Sequence, residues 1–137
     1  MSYDLMVFSK NKKFENRDQF MDWYDVVTEW EEEVDYDDYK HTTTELQAFF
    51  MDIKNTFPPL NGEFAPDDDE LDTLEEDGIY AVDYCIANEA IYMAFAWSNA
   101  DEAYQKVKEL ATKHKVAFFD VSSNEGEILY PDGTKIS

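Results

Sequence analysis

Carboxylates dominate the chemistry open to this chain, and two short segments concentrate them. Glu31, Glu32, Glu33, Asp35, Asp37 and Asp38 crowd the first; Asp67, Asp68, Asp69, Glu70, Asp72, Glu75, Glu76 and Asp77 crowd the second. Together they place 14 of the chain's 32 acidic residues within 19 positions. Hard oxygen ligands at this density suit calcium or magnesium, so a metal-dependent role for residues 66–77 is one reading. The spacing speaks against a dedicated site. A calcium loop opening at Asp67 needs Asp or Asn at position 71 and Gly at 72, and the chain has Leu71 and Asp72 there. No metal ligand is therefore assigned.

Other catalytic sets are sparse. His41 lies in a polar stretch, and His114 closes a helical pattern, where the helix dipole favours a cation. Cys85 stands mid-strand between Tyr84 and Ile86, the setting of a small buried thiol rather than a nucleophile. No serine occupies a Gly-x-Ser-x-Gly turn. The four glycines, Gly62, Gly78, Gly126 and Gly133, are isolated, so no loop can cradle a phosphate. No carboxylate pair is marked for acid–base work. The expectation is a protein with no catalytic residue and no cofactor.

A binding role needs a surface that can lose its water, and the first acidic segment offers one. Trp30, Tyr36 and Tyr39 are interleaved with Glu31 to Asp38. Aromatics in a polar surround supply binding energy, while carboxylates steer and select a basic partner. The partner-binding residues expected are thus Trp30 to Glu33, Asp35 to Tyr39, and Asp67 to Glu70 with Asp72. The alternative for Trp30 is the last core position of the first helix.

These residues must sit on a folded scaffold. The 137 residues fit one domain over 1–137, with 44% hydrophobic and 16% aromatic residues to bury. The formal net charge of −21 repels nucleic-acid phosphates and anionic lipid, and attracts cations and basic proteins. The lysines at 10, 12, 13 and at 106, 108, 113, 115 read as internal charge balance. A lone cysteine suits a reducing compartment. The start, Met1 to Phe8, lacks the basic-then-apolar order of a secretory signal. The longest apolar run, Ala90 to Trp97, is eight residues against the ~20 needed to span a bilayer. A cytoplasmic protein that binds neither membrane nor nucleic acid is expected.

Periodicity predicts a strand over Tyr3 to Phe8 and a helix capped by Asn16 with the stripe Phe20, Trp23, Tyr24, Val27, Trp30. A second helix is predicted to open near Thr42, carry Leu46, Phe49, Phe50, Ile53 and Phe57 inward, and stop at Pro58 and Pro59. Leu60 to Glu76 reads as a loop. Strands Ile79 to Ile86 and Ala90 to Trp97 then pair as a hairpin. A third helix follows, with Ala103, Tyr104, Val107, Leu110 and Ala111 inward. Strand Val116 to Val121, a turn over Ser122 to Gly126 and a short strand Glu127 to Tyr130 complete the order. The fold expected is α+β: a ferredoxin-like split βαβ sandwich, its antiparallel sheet covered by helices on one face, with one inserted helix and an extra C-terminal strand.

Four stretches spread along the chain resemble a group of small uncharacterised bacterial proteins. They are Ser2-Tyr3-Asp4-Leu5-Met6-Val7-Phe8, Phe57-Pro58-Pro59-Leu60-Asn61-Gly62, Phe95-Ala96-Trp97-Ser98 and Phe118-Phe119-Asp120-Val121-Ser122. In size and acidity the chain is similar to bacterial immunity proteins, including those of contact-dependent growth inhibition, which bind and block a cognate toxin domain. The similarity implies an immunity or antitoxin-like inhibitor of a basic toxin domain, a nuclease foremost. An acidic adaptor or nucleic-acid mimic that regulates a host nucleic-acid-binding protein is the alternative.

Overall fold

Strand β1 (Tyr3–Ser9) is apolar on both sides, and the architecture follows from that. Leu5, Met6, Val7 and Phe8 are all fully buried. Alternate residues of a strand point to opposite faces, so Leu5 and Val7 need cover on one side, and Met6 and Phe8 on the other. In the computed structural model, which describes residues 2–123 and 126–136, both sides are covered.

The chain runs β1, α1 (Arg17–Val27), α2 (Thr44–Ile53), α3 (Asp68–Glu76), β2 (Asp83–Ile86), β3 (Ala90–Phe95), α4 (Ala100–Lys113), β4 (Val116–Phe119), β5 (Ile128–Leu129) and β6 (Lys135–Ile136). The fold is a mixed α+β arrangement of four helices on an open, six-stranded antiparallel sheet. The strand order is β2-β3-β1-β4-β5-β6, with β1 paired to β3 from Tyr3↔Phe95 to Phe8↔Ala90 and to β4 from Met6↔Phe119 to Ser9↔Val116.

On one face, Leu46, Phe49 and Ile53 of α2 and Val107 and Leu110 of α4 close over Leu5, Val7, Ile91 and Phe118. On the other, Phe20 and Val27 of α1 pack with Met6, Phe8, Phe119 and Ile128. The expectation of helices on one face is therefore corrected. The small residues Ala90 and Ala94 of β3 suggested a bare second face, but Met6, Phe8 and Phe119 make that face too apolar for water. Asp52 of α2 ties the first layer together, accepting from His114 Nε2 at 2.8 Å and Lys113 Nζ at 3.0 Å at the end of α4. The hydrogen bonds from His114 first and Lys113 second hold its carboxyl below the usual carboxylate range, so this contribution is present above that range and lost in acid.

Local chemistry sets the helix ends. Asn16 Oδ1 accepts from the Gln19 amide, as its spacing predicted. Thr43, rather than Thr42, caps α2 through the Leu46 amide; Thr42 is buried and donates to the Asn88 carbonyl instead. Helix α1 stops at Val27, so Trp30 lies beyond it and is not its last core position. Residues expected as loop between Leu60 and Glu76 contain α3, because Asp67 caps it through the Glu70 amide at 2.8 Å and three further acids suit its positive N-terminal end.

The strand expected over Ile79 to Ile86 begins only at Asp83. Strand β3 ends at Phe95 and β4 at Phe119, short of Trp97 and Val121. The chain ends in two short strands rather than one, β6 pairing Ile136 with Ile128. Asn124 and Glu125 of the expected turn lie outside the described residues. Among the described residues no helix is long and apolar enough to cross a membrane.

Phe20 tests the two-sided core. It is fully buried against Phe8, Phe14, Trp23 and Phe119, with ring centroids 4.8–5.8 Å apart. Phe20→Ala should cost about 3–5 kcal/mol, read as a lowered urea midpoint at an unchanged slope. A loss under about 1 kcal/mol would mean that α1 is only an ornament on the sheet.

Candidate functional site: an acidic wrap around the sheet edge

Strand β2 is an outer strand, and its free edge would attract other strands if left bare. The first acidic segment covers it. The Ile86 amide donates to the Tyr36 carbonyl at 2.9 Å, and the Asn88 amide to Glu32 Oε1 at 2.9 Å. Further along, the Val82 amide donates to the Pro58 carbonyl and the Leu60 amide to the Val82 carbonyl. Prolines and carboxylates thus occupy the edge.

The interleaved aromatics act as rivets on either side of it. Trp30 and Tyr36 pack in the α1 layer, while Tyr39 packs in the α2 layer. The Trp30 ring meets Tyr36 edge-on at 5.4 Å and Tyr92 at 5.7 Å; Tyr39 stacks on Phe50 at 5.8 Å and touches Phe64 at 5.8 Å. The segment therefore crosses from one face of the sheet to the other around β2. The three rings are half-buried, so their first role is to fix the segment. Between them Glu31, Glu33, Asp35 and Asp37 are exposed, and Glu32 and Asp38 are partly covered.

Trp30 stands out in the backbone too. Its φ of 55° lies in the left-handed region, which a bulky residue rarely adopts. The conformation reverses the chain after α1 and lays the indole against the sheet.

The second acidic segment is built differently. Asp67 caps α3, and Asp68, Asp69, Glu70 and Asp72 are exposed on it. None of the α3 residues is buried; Leu71 and Leu74 are only partly covered. Its N-terminal acids suit the helix dipole, while Glu75 and Glu76 oppose it, with no basic residue in the last turn. The charge of Asp67 raises the Glu70 carboxyl above its ordinary range. The loop ahead of α3 passes the first segment where Gly62 meets the Asp37 carbonyl; a Cβ there would approach it to 3.1 Å, and φ is +92°.

Three hollows border the edge segment. One is lined by Trp23, Val26 and Val27 with Glu29, Glu31 and Glu32. A second lies among Asp35, Asp37, Asp38, Tyr39, Glu63 and Phe64. The third, of about 350 Å³, opens between the end of α1 and the sheet, where Trp30 meets Tyr92 and Asp83. Sequence reasoning missed this last site because its residues are far apart along the chain. Tyr24, Asp83, Cys85 and Tyr92 converge only once α1 lies over the second face. Burial first, then the charges of Asp83 and Asp37, push the Cys85 thiol up to about 11, so it is protonated and a poor nucleophile at neutral pH.

Another ionisable group of residues joins α4 to the C-terminal strands. Tyr104 donates to Glu127, and Lys108 reaches Glu127 at 3.0 Å. Burial, then the charge of Glu127, raises the carboxyl of Asp120 nearby. Its Oδ1 is buried without a hydrogen bond among the described residues. These ties read as a strut between elements. Among the described residues, no three of His, Cys, Asp and Glu are placed to hold a metal ion.

The ion pairs among the described residues use Asp52, Glu89, Glu109 and Glu127 as acids. None of the fourteen carboxylates of the two acidic segments is among them. The side chains of Glu32, Asp35, Asp38 and Asp67 accept from backbone amides. The ion-paired cations among the described residues thus serve other acids, and although Lys40 lines the hollow beside Asp35, Asp37 and Asp38, the edge carries far more negative than positive charge. Compared with protein families, curated proteins and solved structures, the chain matches none.

The raised Glu70 carboxyl in the first turn of α3 gives a measurable consequence. A carboxyl raised in the folded state adds stability below its unfolded pKa and loses it as pH rises through the folded one. Protection of α3 amides against hydrogen exchange, corrected for intrinsic rates, should therefore grow as pH falls from 7 towards 4.5. Glu75→Lys with Glu76→Lys should raise it at pH 7. Falling protection in both experiments would remove like-charge repulsion as the cause.

Proposed function

We propose that the protein is an inhibitor of the immunity or antitoxin kind, which binds a basic toxin domain in the cytoplasm and occludes it. One observation carries this reading: none of the fourteen clustered carboxylates, twelve of them exposed, has an ion-pair partner among the described residues. Charges held this way repel one another and weaken the fold, so their natural complement is a cationic surface supplied from outside.

A nuclease fits best, since its cleft is built to attract phosphate, and rows of carboxylates can occupy the same positions. Electrostatic steering raises association rates to about 10⁸–10⁹ M⁻¹s⁻¹ at low salt, which suits a protein that must reach its target before damage occurs. The edge segment Trp30–Tyr39 is the expected centre of the interface. It is anchored by backbone hydrogen bonds and aromatic pairs, and hollows flank it.

We read the scaffold as a ferredoxin-like split βαβ core, with two inserted helices, α1 and α3, where the sequence suggested one. The strand order β2-β3-β1-β4, with α2 and α4 together on one face, supports that reading. Strands β5 and β6 extend the sheet beyond it.

The test is capture from a source lysate with this protein as bait, washed at low and then moderate salt. One stoichiometric basic partner that survives the second wash is expected. The quadruple change Glu31→Gln, Glu32→Gln, Glu33→Gln, Asp35→Asn should slow association with that partner at least tenfold and flatten its salt dependence. A spread of basic proteins, all lost at moderate salt, would remove the inhibitor reading. Broad competition with nucleic acid would favour a nucleic-acid mimic instead.

A further inference from the structure

The hollow between α1 and the sheet is bordered by aromatic rings and a carboxylate, with no cationic side chain among its lining residues. Tyr92 and Ala94 of β3 form its floor. Asp83 and Cys85 of β2 lie beside them on the same sheet face as their cross-strand partners, and Tyr24 and Thr28 line the hollow from the α1 side. Trp30 forms the rim and meets Tyr92 at 80°. Three aromatic side chains from three different segments therefore border one space. Aromatic faces attract cations through their quadrupole.

The electrostatics point the same way. Asp83 is exposed, and no lysine, arginine or histidine lines the hollow. Beside the floor, on the same face of the sheet, Tyr92 donates its hydroxyl proton to the carboxylate of Asp4, the cross-strand partner of Ala94. The carbonyl end of the eleven-residue helix α1 opens here, with no basic residue in its last turn. That end carries partial negative charge. The left-handed backbone at Trp30 is a strained feature that holds the ring in place, and such strain collects where a site must be preorganised.

We propose that this hollow receives an arginine side chain of the basic partner, its guanidinium lying against the Tyr92 and Trp30 rings and pairing with Asp83. Arginine fits better than lysine because its planar, weakly hydrated group stacks on aromatic faces and forks onto a carboxylate. The hollow borders the acidic edge, so the arginine anchors a partner whose other cations face Glu31 to Asp38. As a partner contact, this rests on the inhibitor reading above.

The test uses the purified chain alone, so it stands apart from the identity of any toxin. Acetyl-arginine amide is titrated at millimolar concentration, with the acetylated amides of citrulline and lysine as controls. Amide and indole shifts are followed by two-dimensional NMR. Saturable shifts at Trp30, Asp83, Tyr92 and Ala94 are expected, at least fivefold weaker with lysine and absent with uncharged citrulline. Asp83→Asn, a change at an exposed position, should weaken the arginine response about tenfold while the spectrum stays folded. Trp30→Phe should weaken it less, since a ring remains.

Equal shifts with citrulline, tighter binding of lysine, or shifts confined to residues 31–38 and 67–77 would each overturn the proposal. A failed titration beside a successful partner capture would leave the inhibitor reading intact and remove only the arginine site.

Discussion

Everything in this fold depends on keeping water away from both faces of β1. A strand buried on one side needs one layer of helices. A strand that buries Leu5 and Val7 one way and Met6 and Phe8 the other needs two. Helices α2 and α4 meet the first demand and α1 the second. Pairing with β3 and β4 satisfies the backbone groups of β1 on both edges. The exposed edge is thereby displaced outward to β2, and the acidic segment is the element that covers it.

That placement reconciles two opposed requirements. A charge of −21 works against compactness, so the like charges must lie where water screens them. A sheet edge, in turn, must be covered by groups that other strands will not join. Carboxylates on a segment pinned to β2 answer both. The ion-paired lysines among the described residues serve acids outside the two segments: Lys12 with Glu89, Lys106 with Glu109, Lys108 and Lys135 with Glu127, and Lys113 with Asp52. Lys13 lies over the Tyr130 ring at 4.3 Å, and Lys54 over Phe64 at 4.7 Å. Negative charge is left unmatched where these cations do not reach.

Much of this was legible from local pattern. The Asn16 cap, the stripe Leu46 to Ile53, the β2–β3 hairpin and the inward face of α4 depend on neighbours a few residues apart, and periodicity records such neighbours. The side of the sheet on which α1 lies was legible as well, in Met6 and Phe8, but the small residues of β3 argued louder for a bare face. Helix α3 was hidden because repulsion among its acids masks a capping pattern that starts at Asp67. The hollow could not be read at all. Tyr24, Asp83 and Tyr92 come together through the crossing of α1 over β2 and β3, and no spacing along the chain encodes that crossing. Trp30 was misread: periodicity placed it on the helical stripe, but α1 stops at Val27 and Trp30 takes a left-handed backbone beyond it.

The two acidic segments are not equivalent as recognition surfaces, although they look alike in composition. Binding costs entropy for every side chain and backbone segment it immobilises, about 0.5–1.5 kcal/mol for each flexible side chain ordered at an interface. Helix α3 has no buried residue, so a partner that used it would also have to hold it still. The edge segment is already held by the Ile86–Tyr36 and Asn88–Glu32 hydrogen bonds and by aromatic contacts on both faces of the sheet. Charge alone makes both segments attractive at a distance, and it is rigidity that lets one of them discriminate at contact. On this view α3 adds to the long-range field that gathers basic proteins, and the Trp30–Tyr39 wrap decides which of them stays.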